Sequence, residues 1–496
     1  MSSIFMNRTL PSAVSKLNSL VKDTAIYGLA DFIFKFISFA TFPIFTYALN
    51  VTEFGIFSLL ITMSTLFGLL MMCGFNSAMQ RLCLDSTTSL ENRQIIISTG
   101  LWCLFSNACL MGSVLLVAAF IYQNFLKEGH QITLEMVLWS ILSAMAMQIN
   151  TFCLDIIRIE FKPWKYTLLN FTQNALLISL ALFLVIKLQL GVLGYIAATS
   201  LAYLALMPFC LWMIRHNLLF RFNVIFAKQM LHFGYPFIFA GFGYWMFGSM
   251  DRWMLSEFSN YEEVGLYSIA FKIASVLIFI NFAFGQAWTP FALRAHQSDP
   301  AYRSSYSRLM SLWFFALIMI SLSTSLFGYE FLMLLTPPEY WQAATLLPYI
   351  CLSLAMYGTT PILAMGIMIE KKTYHYSFAI GIAAASNFLL NWMFISDYGA
   401  QGASFATLCS NFILWIYYLR CSQRLHPIPI ESKKILFCLC MAAFGLIFNF
   451  WINTLNWNYE ILAYKCIFLM GLLGACFRVF FPSSFSVASL PLQHNG

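Results

Sequence analysis

The hexapeptide EFGIFS at residues 53–58 returns as EVGLYS at residues 263–268, 210 positions later. A second pattern behaves in the same way: GVLGYIAAT at residues 191–199 returns as GAQGASFAT at residues 399–407, 208 positions later. Two matched pairs, in the same order and at nearly the same offset, indicate that the chain contains two copies of one structural unit.

The composition places both copies in a membrane. Of the 496 residues, 60% are hydrophobic, 18% aromatic and 9% charged, whereas a soluble protein carries about a quarter charged residues. A bilayer is the solvent that suits such a chain. The net charge of +7 does not indicate a nucleic-acid-binding protein, because the basic residues are scattered through the loops and form no patch.

The 13 cysteines predict neither a metal site nor a disulfide framework. Most of them lie within apolar runs, and they form no CxxC motif and no Cys/His spacing that suits a metal. We expect them to behave as small hydrophobic residues. The chain also carries no P-loop and no catalytic cassette, so the sequence predicts no cofactor and a membrane transporter in place of an enzyme.

Fourteen membrane spans of about 20 residues are predicted. An even number places both termini on one side, and the positive-inside rule selects the cytoplasm. The cytoplasmic loops and tails then hold 21 of the 27 Lys and Arg residues, against 3 on the opposite side. The predicted spans are 25–49, 54–75, 95–121, 133–155, 166–188, 191–214, 231–255, 263–289, 309–329, 343–369, 374–396, 399–420, 433–454 and 461–481.

The predicted fold class is an all-α integral membrane protein built from two parallel six-helix repeats. The repeats are parallel because six spans return the chain to its starting side, and a duplicated bundle with short loops is typical of secondary transporters. The predicted divisions are a cytoplasmic or interfacial segment at 1–24, a first lobe at 25–214, a second lobe at 215–420, and two further helices with a C-terminal tail at 421–496.

Ionisable residues inside the apolar spans are the first candidate functional residues. A charged side chain at the bilayer centre costs about 2.5–3.5 kcal/mol on insertion scales, and such residues usually face a bundle interior or a wet cavity. Lys272 lies 9 residues after Glu263 in its span, with no acidic residue one turn away. It either snorkels to an interface or is a cation of the lumen, and its depth in the span favours the lumen. Asp31 and Lys35 are four apart on one helix face, where they either neutralise each other or form a polar element of the lumen.

Four further candidates lie at the edges of spans. Asp251 and Arg252 are near the outer end of the seventh span, where they either anchor the helix at the interface or line the substrate path. Arg81 and Arg294 follow the second helix of their respective copies at matched positions. These two arginines either obey the positive-inside rule or line the substrate path.

Several stretches of this sequence resemble the polysaccharide flippases. That family includes the O-antigen flippases and belongs to the multidrug/oligosaccharidyl-lipid/polysaccharide exporter superfamily. The resemblance covers about residues 25–420 and is most specific in the second half. The similar stretches are YAL at 47–49, EFG at 53–55, GFNS at 74–77, FGYPF at 233–237, SMDRWML at 249–255, EVGLYSIAFK at 263–272, NFLLN at 387–391 and YGAQGA at 398–403.

The resemblance implies two six-helix lobes in a V around a central cavity. It implies a lipid-linked oligosaccharide as substrate, flipped across the bacterial inner membrane by alternating access for O-antigen, lipopolysaccharide or other surface polysaccharide synthesis. Lys35, Lys272, Arg252 and Arg294 would then suit an undecaprenyl diphosphate headgroup, because Lys and Arg bind phosphate oxygens well at low dielectric. Asp31 is the candidate site for a coupling ion, H⁺ or Na⁺. The partners implied are membrane lipid, a polysaccharide polymerase and a chain-length regulator.

Other classes of function compete with a flippase. A cation-coupled drug antiporter of the same superfamily would need an acidic lumen for cationic drugs, whereas the deep charge here is Lys272. A membrane polysaccharide polymerase or ligase would need a sizeable outer loop with polar catalytic residues, which is missing between the predicted spans. A scaffold without transport activity would not explain the duplicated elements.

Overall fold

The computed structural model of the chain describes residues 36–85, 88–121, 131–452 and 459–480. Regular secondary structure within these residues is helical. The predicted N-terminal segment at 1–24, the Asp31 and Lys35 pair, and the tail beyond residue 480 lie outside the described residues.

The first half of the chain contains seven described helices joined by short connections. A π-helical turn, Phe183–Lys187, follows the sixth helix, and a 3₁₀ turn, Arg215–Asn217, follows the seventh. The helices are α1 (Phe36–Ala48), α2 (Val51–Met72), α3 (Phe75–Leu84), α4 (Leu90–Ile121), α5 (Leu134–Ile159), α6 (Pro163–Leu182) and α7 (Gly191–Ile214).

The second half contains longer helices and one broken span. A 3₁₀ stretch, Pro338–Leu346, leads into the broken span, which consists of α12, α13 and α14. The helices are α8 (Val224–Phe258), α9 (Tyr261–Ser298), α10 (Tyr302–Leu326), α11 (Gly328–Leu335), α12 (Leu347–Gly358), α13 (Thr360–Leu363), α14 (Met365–Ile369), α15 (Tyr374–Leu425), α16 (Ser432–Ile452) and α17 (Tyr459–Phe480).

Among the described residues, 11 helical segments are long and apolar enough to cross a membrane. They differ from the predicted fourteen spans at three places. Helix α15 is one of the 11 but turns back at Gly399, whose φ is 51° and ψ −131°, so it supplies two predicted spans. Helices α1 and α8 are absent from the 11, and the described part of α1 is a shorter apolar helix. The total of fourteen stays a prediction.

Contacts between Cα atoms group the chain into two compact units. The first unit takes Met1–Ala48 with Leu60–Phe242, and the second takes Leu49–Leu59 with Gly243–Gly496. The first turns of α2 therefore belong to the second unit. The predicted lobe boundary between residues 214 and 215 is not tested by this grouping and stays a prediction.

Amide and hydroxyl side chains join the helices of the first unit. Asn150 Nδ2 on α5 donates to the Tyr203 carbonyl on α7 at 2.9 Å, and Ser200 Oγ donates back to the Trp139 carbonyl at 2.7 Å. Asn107 Nδ2 on α4 donates to the carbonyls of Leu70 and Met71, just before α2 ends. Such bonds matter in hydrocarbon because freed backbone carbonyls have no water to bind.

The second unit uses the same device at its broken span. The break around Gly358 and Pro361 frees backbone carbonyls between α12 and α14. Trp313 Nε1 donates to the Gly358 carbonyl at 2.9 Å, and Trp288 Nε1 donates to the Pro361 carbonyl at 3.1 Å. The predicted single span at 343–369 is thus divided into three short helices whose ends are bound by neighbouring side chains.

A buried ion pair fastens the last helix to the second unit. Lys465 on α17 is 2% exposed, and its Nζ lies 2.8 and 2.9 Å from the two carboxylate oxygens of Glu330 on α11. Lys465 and Glu330 therefore neutralise each other and hold α17 against α11. Charged residues in a membrane interior are commonly paired in this way.

Candidate functional site

The two copies of the hexapeptide motif each begin a long helix with the same cap. Asn50 Oδ1 accepts the N–H of Glu53 at 2.9 Å, and the Glu53 carboxylate accepts the N–H of Asn50 at 3.0 Å. In the second copy, Asn260 Oδ1 accepts the N–H of Glu263 at 2.9 Å. The first copy thus forms a capping box, and the second copy shares its asparagine cap, which satisfies a free N–H group of the first turn.

The two capped helices cross at the glycines of the motif. A Cβ atom on Gly55 would overlap the carbonyl oxygen of Tyr261, and a Cβ on Gly265 would overlap the carbonyl oxygen of Val51. The contacts are reciprocal, because Val51 and Tyr261 are themselves 210 positions apart. The duplication therefore forms a pseudo-twofold contact within the second unit, and only glycine permits so close an approach.

Hydroxyl groups continue this crossing one turn further along. Ser268 Oγ on α9 donates to Ser58 Oγ on α2 at 2.7 Å, and these serines are also equivalent positions of the two copies. Both helices therefore meet along the same face for at least one turn beyond the glycines.

Asp251 lies in the packed interior of the second unit, next to the crossing. It is 2% exposed, and its carboxylate accepts from Tyr267 Oη at 2.6 Å, from Thr407 Oγ1 at 3.1 Å and from Asn391 Nδ2 at 2.6 Å. Asn391 Nδ2 also donates to Asn387 Oδ1 at 3.0 Å. The aspartate thus joins α8, α9 and both halves of α15 through neutral donors.

One acceptor beside Asp251 has no donor. Asn391 is fully buried, and its Oδ1 atom has no hydrogen-bond partner among the described residues. A buried polar atom of this kind carries a desolvation cost unless a water or an ion satisfies it. The surroundings of Asp251 therefore combine a carboxylate with an unsatisfied amide oxygen, both of them oxygen ligands.

Arg252 points to a different face from its neighbour and is partly exposed. Its Nε donates to Ser268 Oγ at 3.2 Å and its Nη1 to the Gly248 carbonyl at 3.3 Å. The guanidinium lies 5.6 Å from the ring centroid of Tyr267 and 5.1 Å from that of Phe271. No carboxylate pairs with Arg252 in the described part of the chain, so its charge is held by aromatic faces and neutral oxygens.

Lys272 is one turn beyond the serine that binds Arg252. Residues 268 and 272 are four apart on α9 and share a face, about 6 Å apart along the helix axis. Lys272 is half-buried, in the part of α9 that continues from the crossing. The structure thus brings three predicted residues, Asp251, Arg252 and Lys272, to one region of the second unit.

The turn at Gly399 is tied to the same region. The Glu263 carboxylate accepts the N–H of Ala400 at 2.8 Å, and Gly399 has the left-handed φ that favours glycine. The equivalent Gly191 has φ 54°, so both copies of the Gly-x-x-Gly pattern begin their helix with a left-handed turn.

The remaining predicted arginines do not join this cluster. Arg81 belongs to the first unit, where its guanidinium lies 4.5 Å above the ring of Phe233. Arg294 is exposed near the end of α9, about six helical turns beyond Lys272. Asp31 and Lys35 lie outside the described residues, so their candidate roles stay predictions.

Sequence reasoning missed the polar partners of Asp251. Asn391 and Thr407 follow the aspartate by 140 and 156 positions. Asn391 lies in a stretch that resembles the flippase family and Thr407 in a repeat, and neither pattern indicates a contact with Asp251. A usable signal was present: amide and hydroxyl residues at 387, 391, 407 and 410 interrupt two otherwise apolar spans.

These features define a multi-pass helical membrane protein with a duplicated core and a polar cluster in its second copy. The family model described as "Polysaccharide biosynthesis protein" matches residues 20–296, more than half of the chain, so the chain belongs to that family. It is also 23% identical over 272 residues to the uncharacterized membrane protein MJ1068 of Methanocaldococcus jannaschii. That match covers 51% of this chain and 52% of the relative; the chain thus spans about half the length of the curated relative it matches.

Solved structures of membrane transporters share the fold. The lipid II flippase MurJ in an inward closed conformation is similar with a TM-score of 0.68 and 14% identity, covering 92% of this chain and 99% of that one. An inward-facing multidrug resistance MATE family transporter of the MOP superfamily gives 0.56 at 15% identity, covering 81% and 94%. The bent form of the Vibrio cholerae MATE transporter VcmN gives 0.53 at 15% identity, covering 82% and 99%. The chain thus has the fold of MurJ and the MATE transporters, as predicted.

Proposed function

We propose that this protein is a flippase that translocates a lipid-linked oligosaccharide, carried on undecaprenyl diphosphate, across the bacterial inner membrane. The oligosaccharide is the repeat unit of an O-antigen or another surface polysaccharide. Transport proceeds by alternating access, and no covalent bond is made or broken. Membership of the polysaccharide biosynthesis family and the shared fold with a lipid II flippase support this class of substrate.

The observation that carries the proposal is a pair of cations, Arg252 on α8 and Lys272 on α9, in one region of the second unit. Arg252 is held at Ser268 by its Nε, with its Nη1 end exposed, and Lys272 follows one turn later. Ser268, which accepts from Arg252, is one turn before Lys272, about 6 Å along the axis of α9, and two cations placed in this way suit the two phosphates of a diphosphate. Asp251, next to Arg252 in the sequence, has its carboxylate oxygens bound by Tyr267, Thr407 and Asn391.

A cluster of tyrosines supports binding of the saccharide part. Tyr244 and Tyr357 are 52% and 39% exposed, and both lie within electrostatic range of Tyr418, together with Tyr376. The rings of Tyr376 and Tyr418 are 5.9 Å apart. Aromatic side chains with a polar tip offer both an apolar face and a hydroxyl group, which matches the alternating apolar and hydroxyl faces of a sugar.

We also assign cation coupling to Asp251, with H⁺ or Na⁺ as the ion. Its carboxylate and the unsatisfied Oδ1 of Asn391 are oxygen ligands of the kind that hard cations prefer. Intramembrane carboxylates commonly mark ion or proton pathways. Asp31 remains the second candidate for this role.

The decisive experiment is complementation of a deletion strain with wild-type protein or with Lys272→Ala. We expect the variant to reach the membrane in normal amounts, to lose surface polysaccharide, and to accumulate the lipid-linked repeat unit on the cytoplasmic face. The cause would be loss of a phosphate contact in a low-dielectric site. Polysaccharide is measured by gel profile and the lipid-linked unit by mass spectrometry of extracted lipid.

Two control variants keep this test specific. Thr62→Ala changes the equivalent position of the first copy, and Lys228→Ala removes an exposed lysine near the start of α8; both should complement fully. Normal polysaccharide in the Lys272→Ala strain would exclude a role for this cation in transport.

The rival functions give different results in the same strain. A drug antiporter would leave the polysaccharide unchanged on deletion, in a strain without a redundant exporter, and would increase sensitivity to cationic drugs. A polymerase would leave single repeat units on the outer face, where an externally added glycosidase or lectin reaches them. Accumulation on the inner face alone would favour the flippase.

A further inference from the structure

A polar cavity lies at the opposite end of α15 from the Gly399 turn. It has a volume of about 550 Å³ and is formed by the two halves of α15, with residues 375 and 382 on one side and 413–425 on the other. Thr407, the partner of Asp251, is 13 residues before Arg420 on the same helix, or about 20 Å away. The cavity is therefore separate from the cluster around Asp251.

Cations form the rim of this cavity. Arg420 and Arg424 both line it and are exposed, and they share one helix face because they are four residues apart. His375 lines the opposite side, with its Nδ1 atom 2.9 Å from Tyr417 Oη. Lys372 lies within electrostatic range of Cys421, a further lining residue. The rim therefore concentrates positive charge at one level of the second unit.

The nearest acidic side chain along the chain is engaged elsewhere. Glu370 precedes the lysine pair 371–372, but its carboxylate lies 3.1 Å from His426 Nδ1. No Asp or Glu lines the cavity among the described residues. The positive charge of Arg420 and Arg424 is thus available to an external anion.

The deeper wall of the cavity is apolar. Ile382, Ile413 and Ile416 line it, and Ile413 is about 10 Å further along the helix than Arg420. Free phosphate would use only the rim, whereas an amphiphile with a charged head and an apolar body would use both parts. The rim is also at the end of the helices that the positive-inside rule predicts to be cytoplasmic, where anionic lipid is abundant.

We propose that this cavity binds an anionic glycerophospholipid, with the headgroup phosphate between Arg420 and Arg424 and the start of the acyl chains against the isoleucines. Guanidinium groups suit phosphate because their paired N–H donors match its oxygens. The proposal does not depend on which substrate the protein transports.

The test is lipid binding to the purified full-length protein, followed by native mass spectrometry. Phosphatidylglycerol and phosphatidylcholine with identical acyl chains are titrated against wild-type protein and against Arg420→Gln/Arg424→Gln. We expect wild type to prefer phosphatidylglycerol, and the double variant to bind it about 25-fold more weakly, since each basic side chain near an anionic lipid contributes a factor of about five.

A charge-matched variant provides the control. Lys228→Gln/Lys433→Gln also removes two exposed cations but leaves the cavity intact, so its preference for phosphatidylglycerol should remain. An equal loss in both double variants would overturn the proposal, because binding would then follow the net charge alone. Displacement of phosphatidylglycerol by millimolar inorganic phosphate would also overturn it and would identify a soluble phosphate as the ligand.

A footprint on the unmodified protein avoids any question of misfolding. Cys421 lines the cavity and Cys440 on α16 is exposed outside it. Vesicles containing phosphatidylglycerol should slow maleimide labelling of Cys421 relative to phosphatidylcholine vesicles, with Cys440 unchanged, as read by peptide mass spectrometry. Identical labelling of Cys421 in both lipids would contradict the proposal.

Discussion

The first and second copies of the motif have the same geometry but differ in the chemistry that surrounds it. Both start with an asparagine cap, both place a glycine against the backbone of the other copy, and their serines at 58 and 268 bind each other. The second copy alone adds a phenol, a lysine and a buried aspartate. At the equivalent positions 210 residues earlier, the first copy has Phe57, Thr62 and Thr41.

This difference separates the residues that build the fold from those that give it a function. The crossing needs both glycines, and its contacts are made twice, so selection for the crossing would act equally on both copies. The polar groups are needed once, because a single cluster in one chain is enough to bind a ligand. Substitutions at the symmetric positions are therefore expected to have equal effects in the two copies, and substitutions at the asymmetric positions unequal ones.

The largest effect is expected at the two glycines of the crossing. Gly55→Leu and Gly265→Leu should each prevent accumulation of folded protein, since even a Cβ would overlap a backbone carbonyl and a backbone cannot move aside as a side chain can. Membrane levels by immunoblot, and a single peak by size-exclusion chromatography in detergent, provide the measurement.

Gly285 on the same helix α9 supplies the matched control. A Cβ there would have no atom within 4 Å, so Gly285→Leu should accumulate normally. A protein that tolerates leucine at one of the crossing glycines but not at the other would show that the contact is not reciprocal.

A smaller effect is expected at the buried aspartate. Asp251→Ala removes the acceptor of the Tyr267 hydroxyl, whereas Asn391 and Thr407 keep second acceptors, Asn387 Oδ1 and the Ala403 carbonyl. The expected loss is about 1–3 kcal/mol, as for one unsatisfied buried group. Thr41→Ala at the equivalent position should cost no more than about 0.5 kcal/mol, because Thr41 Oγ1 donates only to carbonyls of its own helix. Apparent melting temperatures in detergent compare the two variants. Equal losses would mean that the polar side chains at positions 41 and 251 contribute equally to stability, and would contradict the difference between the copies.

The smallest effect is expected at the serine pair. Ser58→Ala and Ser268→Ala should each lower the free energy of unfolding by about 1 kcal/mol, as expected for one hydrogen bond. The double variant should lose little more than either single variant, because the same bond is removed in each. Strictly additive losses would indicate that each serine acts through other partners, such as Arg252 with Ser268.

Much of the fold could be predicted from the sequence, because its signals are local. The capped Glu-x-Gly motif, the apolar spans and the Gly-x-x-Gly turns each depend on residues a few positions apart, and the structure contains all three. The repeat at a fixed offset also predicted that the helices beginning at the two motifs are equivalent, but their crossing is seen only in the structure. The span at 343–369 was predicted as one piece, since hydropathy does not register a break whose free carbonyls are satisfied by tryptophans from other helices.

The candidate site was predictable only in part. Charged residues such as Lys272 and Asp251 stand out in an apolar chain because their insertion is costly. Their surroundings depend on contacts across 140 or more positions, and a single sequence does not specify which polar residues of other spans will meet. That Asp251 either lines the substrate path or anchors the helix at the interface stays a prediction. In the structure its side chain is among the most buried of the described polar groups.

Glu263 has a consequence for the vertical position of two helices. The backbone of Glu263 belongs to the first turn of α9. Its carboxylate accepts the N–H of Ala400, at the start of the second half of α15. One side chain therefore fixes the height at which two helices enter the bilayer. A slide of either helix along the membrane normal would leave the N–H of Ala400 without its acceptor, so the two are expected to move as one piece whenever the protein changes shape.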